Sequence, residues 1–375
     1  MNDETAMRKA LALARRAAGR SFPNPAVGAV VFRGGRILGR GFTRPAGGPH
    51  AEIVALARAR RLCGARALRG AALAVTLEPC CHTGRTGPCT EAVIAAGIRH
   101  VIVGIRDPHS PVNGRGLRAL RRAGIAVEVG VLADACREHH RGFLSVVERG
   151  RPWVELKLAS SLDGRIAAVG GASRWITGAA ARTFAHRLRA GSDAILVGAN
   201  TVLTDDPELL ARRRDRVIHR PVRVVVDSRL RVPPTARVWR GALERGDAWV
   251  LCGPRPPSAR RRRLERNGVR VFPLPRAGTG VDLRAGLRRL AREGVTQVLV
   301  EGGGEIAASL LRAGLVDSVH WFAAPLFLGG DAVPALGRLG QSSVARSLAL
   351  LAPEVHRLGC DLYLRGRVGR RGESA

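Results

Sequence analysis

Two successive series of strand-like and helix-like segments, parted by Glu-Arg-Gly-Arg-Pro at 148–152, constrain this 375-residue chain more than any other feature. In the first series, apolar residues at helical spacing over 3–18 stop at Pro23-Asn24-Pro25, and residues 26–32 (AVGAVVF) follow as a buried strand. The turn RGGR leads to a second strand at 37–42. The pattern then predicts helices at 51–62, 90–97 and 116–123, strands at 71–77, 100–105 and 125–131, and one long helix at 132–149. The second series opens at 153–167. Its strands fall at 193–198, 222–226, 247–252, 269–272, 297–301 and 317–323, with helices at 178–190, 258–266, 282–293 and 304–313. Strands alternating with helices place a sheet between helical layers, so the chain reads as two three-layer α/β domains, 1–148 and 152–367. Length agrees, because a single hydrophobic core stops growing near ~250–300 residues.

Composition narrows the class. No apolar run reaches the ~18 residues of a membrane-spanning helix. The first ten residues, MNDETAMRKA, are acidic and polar where a secretory signal is basic and then apolar. A cytoplasmic protein without a membrane partner is expected. Lys+Arg number 62 against 30 Asp+Glu, a net +32, which invites a nucleic-acid reading. All but Lys9 and Lys157 of these cations are arginine, and they are spread along the chain with runs at 212–216 and 260–263. Aromatic content of 4% is too low for the stacking platforms of single-strand binders. The expectation is therefore no nucleic acid, but a surface that attracts phosphorylated substrates. Seven cysteines, an odd number, argue against a disulfide framework and fit a reduced protein with one metal cluster.

That cluster is legible. His50-Ala51-Glu52 opens the helix at 51–62, Glu78-Pro79-Cys80 ends the strand at 71–77, and Cys89 lies just before the helix that starts near Thr90. One imidazole and two thiolates make a zinc site of three protein ligands, with the fourth position left for water. Glu52, beside such a site, can take a proton from that water and deliver it to a leaving nitrogen. His-x-Glu followed by a Pro-Cys pair is the signature of zinc deaminases of nucleobases. The usual spacing is Pro-Cys-x-x-Cys, whereas here the second cysteine is nine positions on. Cys81 competes for the second place, although adjacent residues rarely ligate one metal together.

The longer loop, TLEPCCHTGRTGPC (76–89), together with PNPAVGAVV (23–31) and DPHSPVNGRG (107–116), closely resembles the bifunctional riboflavin-biosynthesis deaminase/reductase family. That family has Ser where this chain has Cys81 and Pro where it has Gly87. The resemblance implies that His50, Cys80 and Cys89 hold zinc, that Glu52 is the proton shuttle, and that Asn24 contacts the pyrimidine. His82 and Arg85 either read the substrate or shape the loop.

The resemblance continues to about residue 365 through LKLASSLDGRIA (156–167), SRWITG (173–178), LRAGSDAILVGANTVLTDDPEL (188–209), RVVVDS (223–228) and VEGGGEIAASLL (300–311). It implies a cytidine-deaminase-like domain followed by a dihydrofolate-reductase-like domain that uses NADPH. From the residues alone, 298–311 is a strand, a glycine turn and a helix, whose Gly303 and Gly304 N–H groups can approach a phosphate; turns without ligands use the same residues. The spacing is not the Rossmann fingerprint. No nucleophile–base pair stands out in this half, as expected where a bound dinucleotide carries the chemistry. The resemblance assigns Ala159, Trp175, Thr201, Asp205, Gly303, Gly304, Glu305 and Ile306 to the cofactor. It assigns Ser173, Arg189, Leu209, Arg212 and Glu301 to the substrate, the arginines suiting a sugar phosphate. Where the family has Leu-Thr-x-Arg, this chain has Leu209-Leu210-Ala211-Arg212, and Arg213 or Arg214 could take the place of Arg212. Lys157 either meets the ribose as a compact ammonium or serves a structural ion pair.

The resulting expectation is a two-domain enzyme. The resemblance supplies the substrate and the order of steps: the first half would hydrolyse the 2-amino group of 2,5-diamino-6-ribosylamino-4(3H)-pyrimidinone 5′-phosphate. The second half would reduce the ribosyl to the ribityl group, giving 5-amino-6-ribitylaminouracil 5′-phosphate. A homo-oligomer, dimer or tetramer, is expected. Two rivals share parts of this pattern. One is a nucleic-acid deaminase sharing His50, Glu52 and Cys80; the other is a structural zinc protein in which Cys81 or His82 closes the site.

Overall fold

Asn2 opens the first helix, α1 (Asp3–Ala14), by accepting the Thr5 N–H on its side-chain oxygen at 2.9 Å. The computed structural model describes residues 1–82 and 87–371; Arg85 lies outside the described residues. The chain divides into two units, Met1–Arg151 and Pro152–Ala375.

In unit 1, α1 is followed by β1 (Gly28–Arg33), β2 (Arg36–Phe42), α2 (Ala51–Cys63), α3 (Ala65–Leu68), β3 (Ala72–Leu77), α4 (Cys89–Ala95), β4 (His100–Ile105), α5 (Arg115–Arg122), β5 (Ala126–Val129), α6 (Ala133–His139) and α7 (Arg141–Arg149). Among the described residues these strands form one sheet of order β2-β1-β3-β4-β5. The β1 strand runs antiparallel to β2 and β3, while β3, β4 and β5 run parallel. Both faces of the central strands are buried, which explains their unbroken apolar runs. Glycine sets how closely α2 approaches the sheet. A Cβ on Gly39 or Gly41 would come within 2.1 Å of the Ala55 or Ala51 carbonyl oxygen.

The sequence pattern needs two corrections here. The first helix ends at Ala14 rather than 18, and the long helix expected at 132–149 is two, α6 and α7. They part at His140, whose backbone leaves the helical region (φ −90°, ψ 9°). Its buried ring reaches Thr76 Oγ1 on β3 at 3.0 Å.

Unit 2 contains β6 (Trp153–Ser161), β7 (Arg165–Ala167), α8 (Ala179–Gly191), β8 (Ala194–Gly198), α9 (Ala199–Asp205), β9 (Ala211–Arg213), β10 (Arg216–His219), β11 (Val222–Val226), α10 (Ala242–Arg245), β12 (Ala248–Cys252), α11 (Ser258–Arg266), β13 (Arg270–Pro273), β14 (Arg276–Ala277), β15 (Gly280–Val281), α12 (Leu283–Arg292), β16 (Gln297–Glu301), α13 (Gly304–Arg312), β17 (Ser318–Ala324), β18 (Val333–Pro334), β19 (Leu348–Leu358) and β20 (Asp361–Arg370). Among the described residues its main sheet has the order β13-β12-β11-β8-β16-β6-β17-β20-β19. All neighbours from β13 to β17 pair in parallel, and the β19–β20 hairpin closes the sheet in antiparallel fashion.

The sequence pattern ends its strands at 323 and so misses this hairpin. Pro353 lies inside β19, where a proline argues against a central strand. The structure tolerates it because β19 is the edge strand, and the register shifts between Leu351 and Glu354 around Ala352 (φ 44°). The helix α9 and the β9–β10 hairpin were likewise not anticipated. No helix among the described residues is long and apolar enough to cross a membrane.

Candidate active sites

In unit 1 three short elements bring distant residues together. His50 is the residue that precedes α2, with extended backbone (φ −68°, ψ 164°), so its ring turns back toward the end of β3. Cys80 follows that strand by three residues, and Cys89 is the buried first residue of α4. The His50 Nδ1 atom lies 3.3 Å from Cys89 Sγ and 3.5 Å from Cys80 Sγ, and all three ligand atoms fall within 4.8 Å of one another. A tetrahedral ion with Zn–N of about 2.0–2.1 Å and Zn–S of about 2.3 Å requires N···S separations near ~3.5 Å, so the donor set and its spacing fit zinc.

Electrostatics support the fit. The thiol hydrogen bond from Cys89 outweighs burial at Cys80 and, with His50 and the Cys89 backbone N–H (3.3 Å), brings its pKa down to about 4. Cys89 is pushed the other way, chiefly by that bond and by burial, so Cys80 gives up its proton first. His50 is raised through its hydrogen bond to Cys80.

Glu52 sits one position into α2 and is 4% exposed. Burial and then the Cys80 charge raise its pKa to about 7, and its carboxylate hydrogen-bonds the Cys89 thiol. A carboxyl held near neutrality can both accept and return a proton. Of the rival ligands, Cys81 Sγ turns to the Pro111 carbonyl oxygen (3.7 Å), and His82 is exposed; neither joins the cluster of three. Asn24 lies in the turn between α1 and β1, where its N–H donates to Ser21 O (2.9 Å).

Sequence reasoning missed Glu78. This buried carboxylate accepts N–H bonds from Asp107 (3.2 Å) and Gly114 (3.0 Å) on one oxygen and Leu117 (3.2 Å) on the other. It pins the loop after β4 beside the strand end that carries Cys80. Its place in Glu-Pro-Cys was the available signal.

Unit 2 holds a cleft of about 1530 Å³ at the carboxyl ends of β8, β11 and β16, where open parallel sheets bind ligands. Lys157, Ala159, Ser173, Trp175, Arg189, Thr201, Asp205, Gly303, Gly304, Glu305 and Ile306 all line it. The glycine turn is tight against α9: a Cβ on Gly302 (φ +78°) would approach the Thr201 side chain to 3.0 Å. Leu209, Arg212 and Glu301 do not line the cleft. Leu209 is buried, and Arg212 turns to Glu208 (2.6 Å) and to the Asp215 carbonyl oxygen (2.8 Å).

Glu301 lies beneath the cleft, taking Arg189 Nε at 2.7 Å and Nη2 at 2.8 Å. Burial lowers the Lys157 pKa, an effect that Glu301 opposes and Arg189 reinforces. Sequence reasoning missed Ser228, Asn200 and Arg231, the last of which donates to Asn200 Oδ1 (2.8 Å) at the cleft wall. The marker RVVVDS, ending a buried strand, pointed to that wall without reaching Arg231, three positions beyond it.

Comparison with known proteins follows the same division. The profile of the cytidine and deoxycytidylate deaminase zinc-binding region matches residues 1–105, and that of the RibD C-terminal domain matches 152–364. The riboflavin biosynthesis protein RibD of Aquifex aeolicus is 39% identical over 362 residues, 96% of this chain and 97% of that protein. The chain belongs to the RibD family. The Escherichia coli member is 38% identical over 375 residues, covering 97% and 99% of the two chains. Among solved structures, Acinetobacter baumannii RibD superposes with a TM-score of 0.86 at 34% identity over 98% of this chain and 99% of that one. A Thermotoga maritima diaminohydroxyphosphoribosylaminopyrimidine deaminase/5-amino-6-(5-phosphoribosylamino)uracil reductase gives 0.83 at 34% identity, covering 97% and 98%. Membership makes the chain a bifunctional enzyme of riboflavin biosynthesis, a zinc deaminase joined to an NADPH-dependent reductase. The expected fold class, a cytidine-deaminase-like domain followed by the reductase domain of this family, holds.

Proposed function

We propose that unit 1 removes the 2-amino group of the diaminopyrimidinone ribosylamine 5′-phosphate by hydrolysis, and that unit 2 then reduces the ribosyl group of the deaminated product to ribityl. The observation that carries the first step is the convergence of His50 Nδ1, Cys80 Sγ and Cys89 Sγ with the buried Glu52 carboxylate beside them. Those three residues would hold zinc. Zinc held there would act as a Lewis acid and lower the pKa of a water molecule. Glu52 takes the proton of the attacking water on a carboxylate oxygen and returns it to the departing nitrogen, so ammonia leaves neutral. Asn24 orients the ring.

In unit 2, NADPH supplies the reducing equivalents. Ala159, Trp175, Thr201, Asp205 and the turn 303–306 line the cleft and would hold it there, the backbone N–H groups at the start of α13 being suited to a phosphate. Ser173, Arg189 and Lys157 face the sugar phosphate, over Glu301. Glu301 keeps Arg189 fixed, which spares the orientation cost of a mobile guanidinium. The reading places the enzyme in the cytoplasm, where its unpaired cysteines stay reduced. It also includes a homo-oligomer, supported by the open edge of β19, where Val355 is 60% exposed.

The test withholds NADPH. The zinc-loaded enzyme given the aminated substrate releases ammonia and then stalls, and added NADPH is oxidised only afterwards. NADPH oxidation ahead of ammonia release would reverse the proposed order.

A further inference from the structure

A second cavity in unit 2, about 290 Å³, is bordered by six arginines: Arg212, Arg220, Arg223, Arg237, Arg240 and Arg245. Few carboxylates answer them. Glu208 takes Arg212 (2.6 Å), Arg237 (3.1 Å) and Arg240 (3.7 Å), and Asp247 takes Arg223 and Arg245 (3.1 Å). Glu244, well exposed, adds a contact to Arg245 (3.1 Å). Three carboxylates against six guanidiniums leave about three positive charges uncompensated in one small volume.

The deepest of the six is also incompletely satisfied. The Arg223 side chain is 2% exposed on β11, and it reaches Asp247 and the Arg240 carbonyl oxygen (2.9 Å). Its Nε–H is buried without a partner. Burial lowers the Arg223 pKa, Asp247 opposes this, and the neighbouring Arg245 and Arg220 lower it further. Burying a guanidinium among other cations is costly, so the surplus positive charge round this cavity favours an anion within it. Arg220 makes no ion pair among the described residues and borders the same space.

Size and lining define the acceptor. Sites for drug-sized molecules run from about 300 to 1,000 Å³, so this cavity suits something smaller than a dinucleotide. Its apolar lining is Leu210 and Val217, with no ring on which a base could stack. Guanidinium groups match phosphate oxygens in geometry as well as charge. We propose that this cavity binds a compact multivalent phosphate anion of the diphosphate class, gripped by Arg220 and Arg240 in the positive field that the buried Arg223 reinforces. The site does not depend on the chemistry assigned to either active centre.

The test uses the full-length, zinc-loaded enzyme saturated with NADPH, so that phosphate subsites of the cofactor are already filled. Inorganic diphosphate is titrated by calorimetry at constant ionic strength, against wild type and the Arg220→Ala/Arg240→Ala variant. These positions avoid Arg237, which borders both cavities, and Arg212. Saturable binding is expected, weakened about tenfold or more in the variant through loss of charge-assisted hydrogen bonds, with KM for NADPH unchanged. Three results would overturn the site: no saturable binding, equal binding by the variant, or strictly competitive inhibition against the phosphorylated pyrimidine. The last would place the anion in the substrate's own phosphate subsite.

Discussion

Arg189 and Glu301, 112 positions apart in sequence, meet through two parallel hydrogen bonds of 2.7 and 2.8 Å beneath the large cleft of unit 2. Arg189 also donates to the Leu210 carbonyl oxygen at 3.1 Å, so it ties α8 to the end of β16 and to the segment before β9. Burial alone would raise the Glu301 carboxyl, but the Arg189 charge and its bonds prevail and bring its pKa down to about 2.

Removing one partner of this pair should cost unit 2 about 3 kcal/mol, because it strands a buried charge. Denaturant unfolding of Arg189→Met measures it. The double variant Arg189→Met/Glu301→Leu should recover much of that loss. The folded pKa of Glu301 lies below its ordinary value of 4.5, so its contribution is complete above that pH and fades as pH falls toward about 2. Equal destabilisation by Arg189→Met above and below this window would refute the assignment.

Gly41 lets α2 approach β2 closely enough to set the position of His50 and Glu52. In Gly41→Ala the new methyl would meet the Ala51 carbonyl oxygen at 2.1 Å. A loss of about 1–3 kcal/mol in unit 1 is expected from overpacking. Zinc retention after dialysis should fall with it, since the start of α2 must shift. Unchanged zinc content with unchanged stability would contradict this packing account.

His140 offers a pH test. Thr76 Oγ1 accepts the Gly28 N–H (3.2 Å) and lies in hydrogen-bond contact with the buried His140 Nε2 (3.0 Å). Burial holds the His140 pKa well below 6.5. The unfolded chain therefore binds the proton first, and the stability due to neutral His140 is present above pH 6.5 and lost as pH falls below it. Melting curves of wild type and His140→Asn should converge between pH 7 and 5; a constant gap would argue against a buried neutral imidazole.

Cysteine variants separate ligand from neighbour. Cys89→Ser should lose zinc and deamination, whereas Cys81→Ser should keep both, because Cys81 faces the Pro111 carbonyl oxygen. Metal analysis of the purified proteins decides it, and metal loss from Cys81→Ser would redraw the site.

The cluster of His50, Cys80 and Cys89 was legible in sequence because these residues mark the ends of short, strongly patterned elements: His50 before α2, Cys80 after β3, Cys89 at the start of α4. Local signals of this kind survive without knowledge of tertiary contacts. The break at His140 was not legible, since it depends on Thr76, 64 positions away. Nor was the β19–β20 hairpin, where Pro353 argues against a strand until its edge position is known. In unit 2 the glycine turn was readable as a motif, and Thr201 only through the family resemblance. By contrast, the pairing of Arg189 with Glu301, and the turning of Arg212 toward Glu208, follow only from the fold.

The central claim is that two chemistries run in order, the first depending on Glu52. NADPH oxidation with the aminated pyrimidine, compared between wild type and Glu52→Gln, tests it most directly. Wild type should oxidise NADPH, the variant should lose about 10²–10⁴-fold as a proton-transfer group is removed, and supplying deaminated substrate should restore oxidation in full. Undiminished oxidation of the aminated substrate by Glu52→Gln, with zinc content intact, would contradict it.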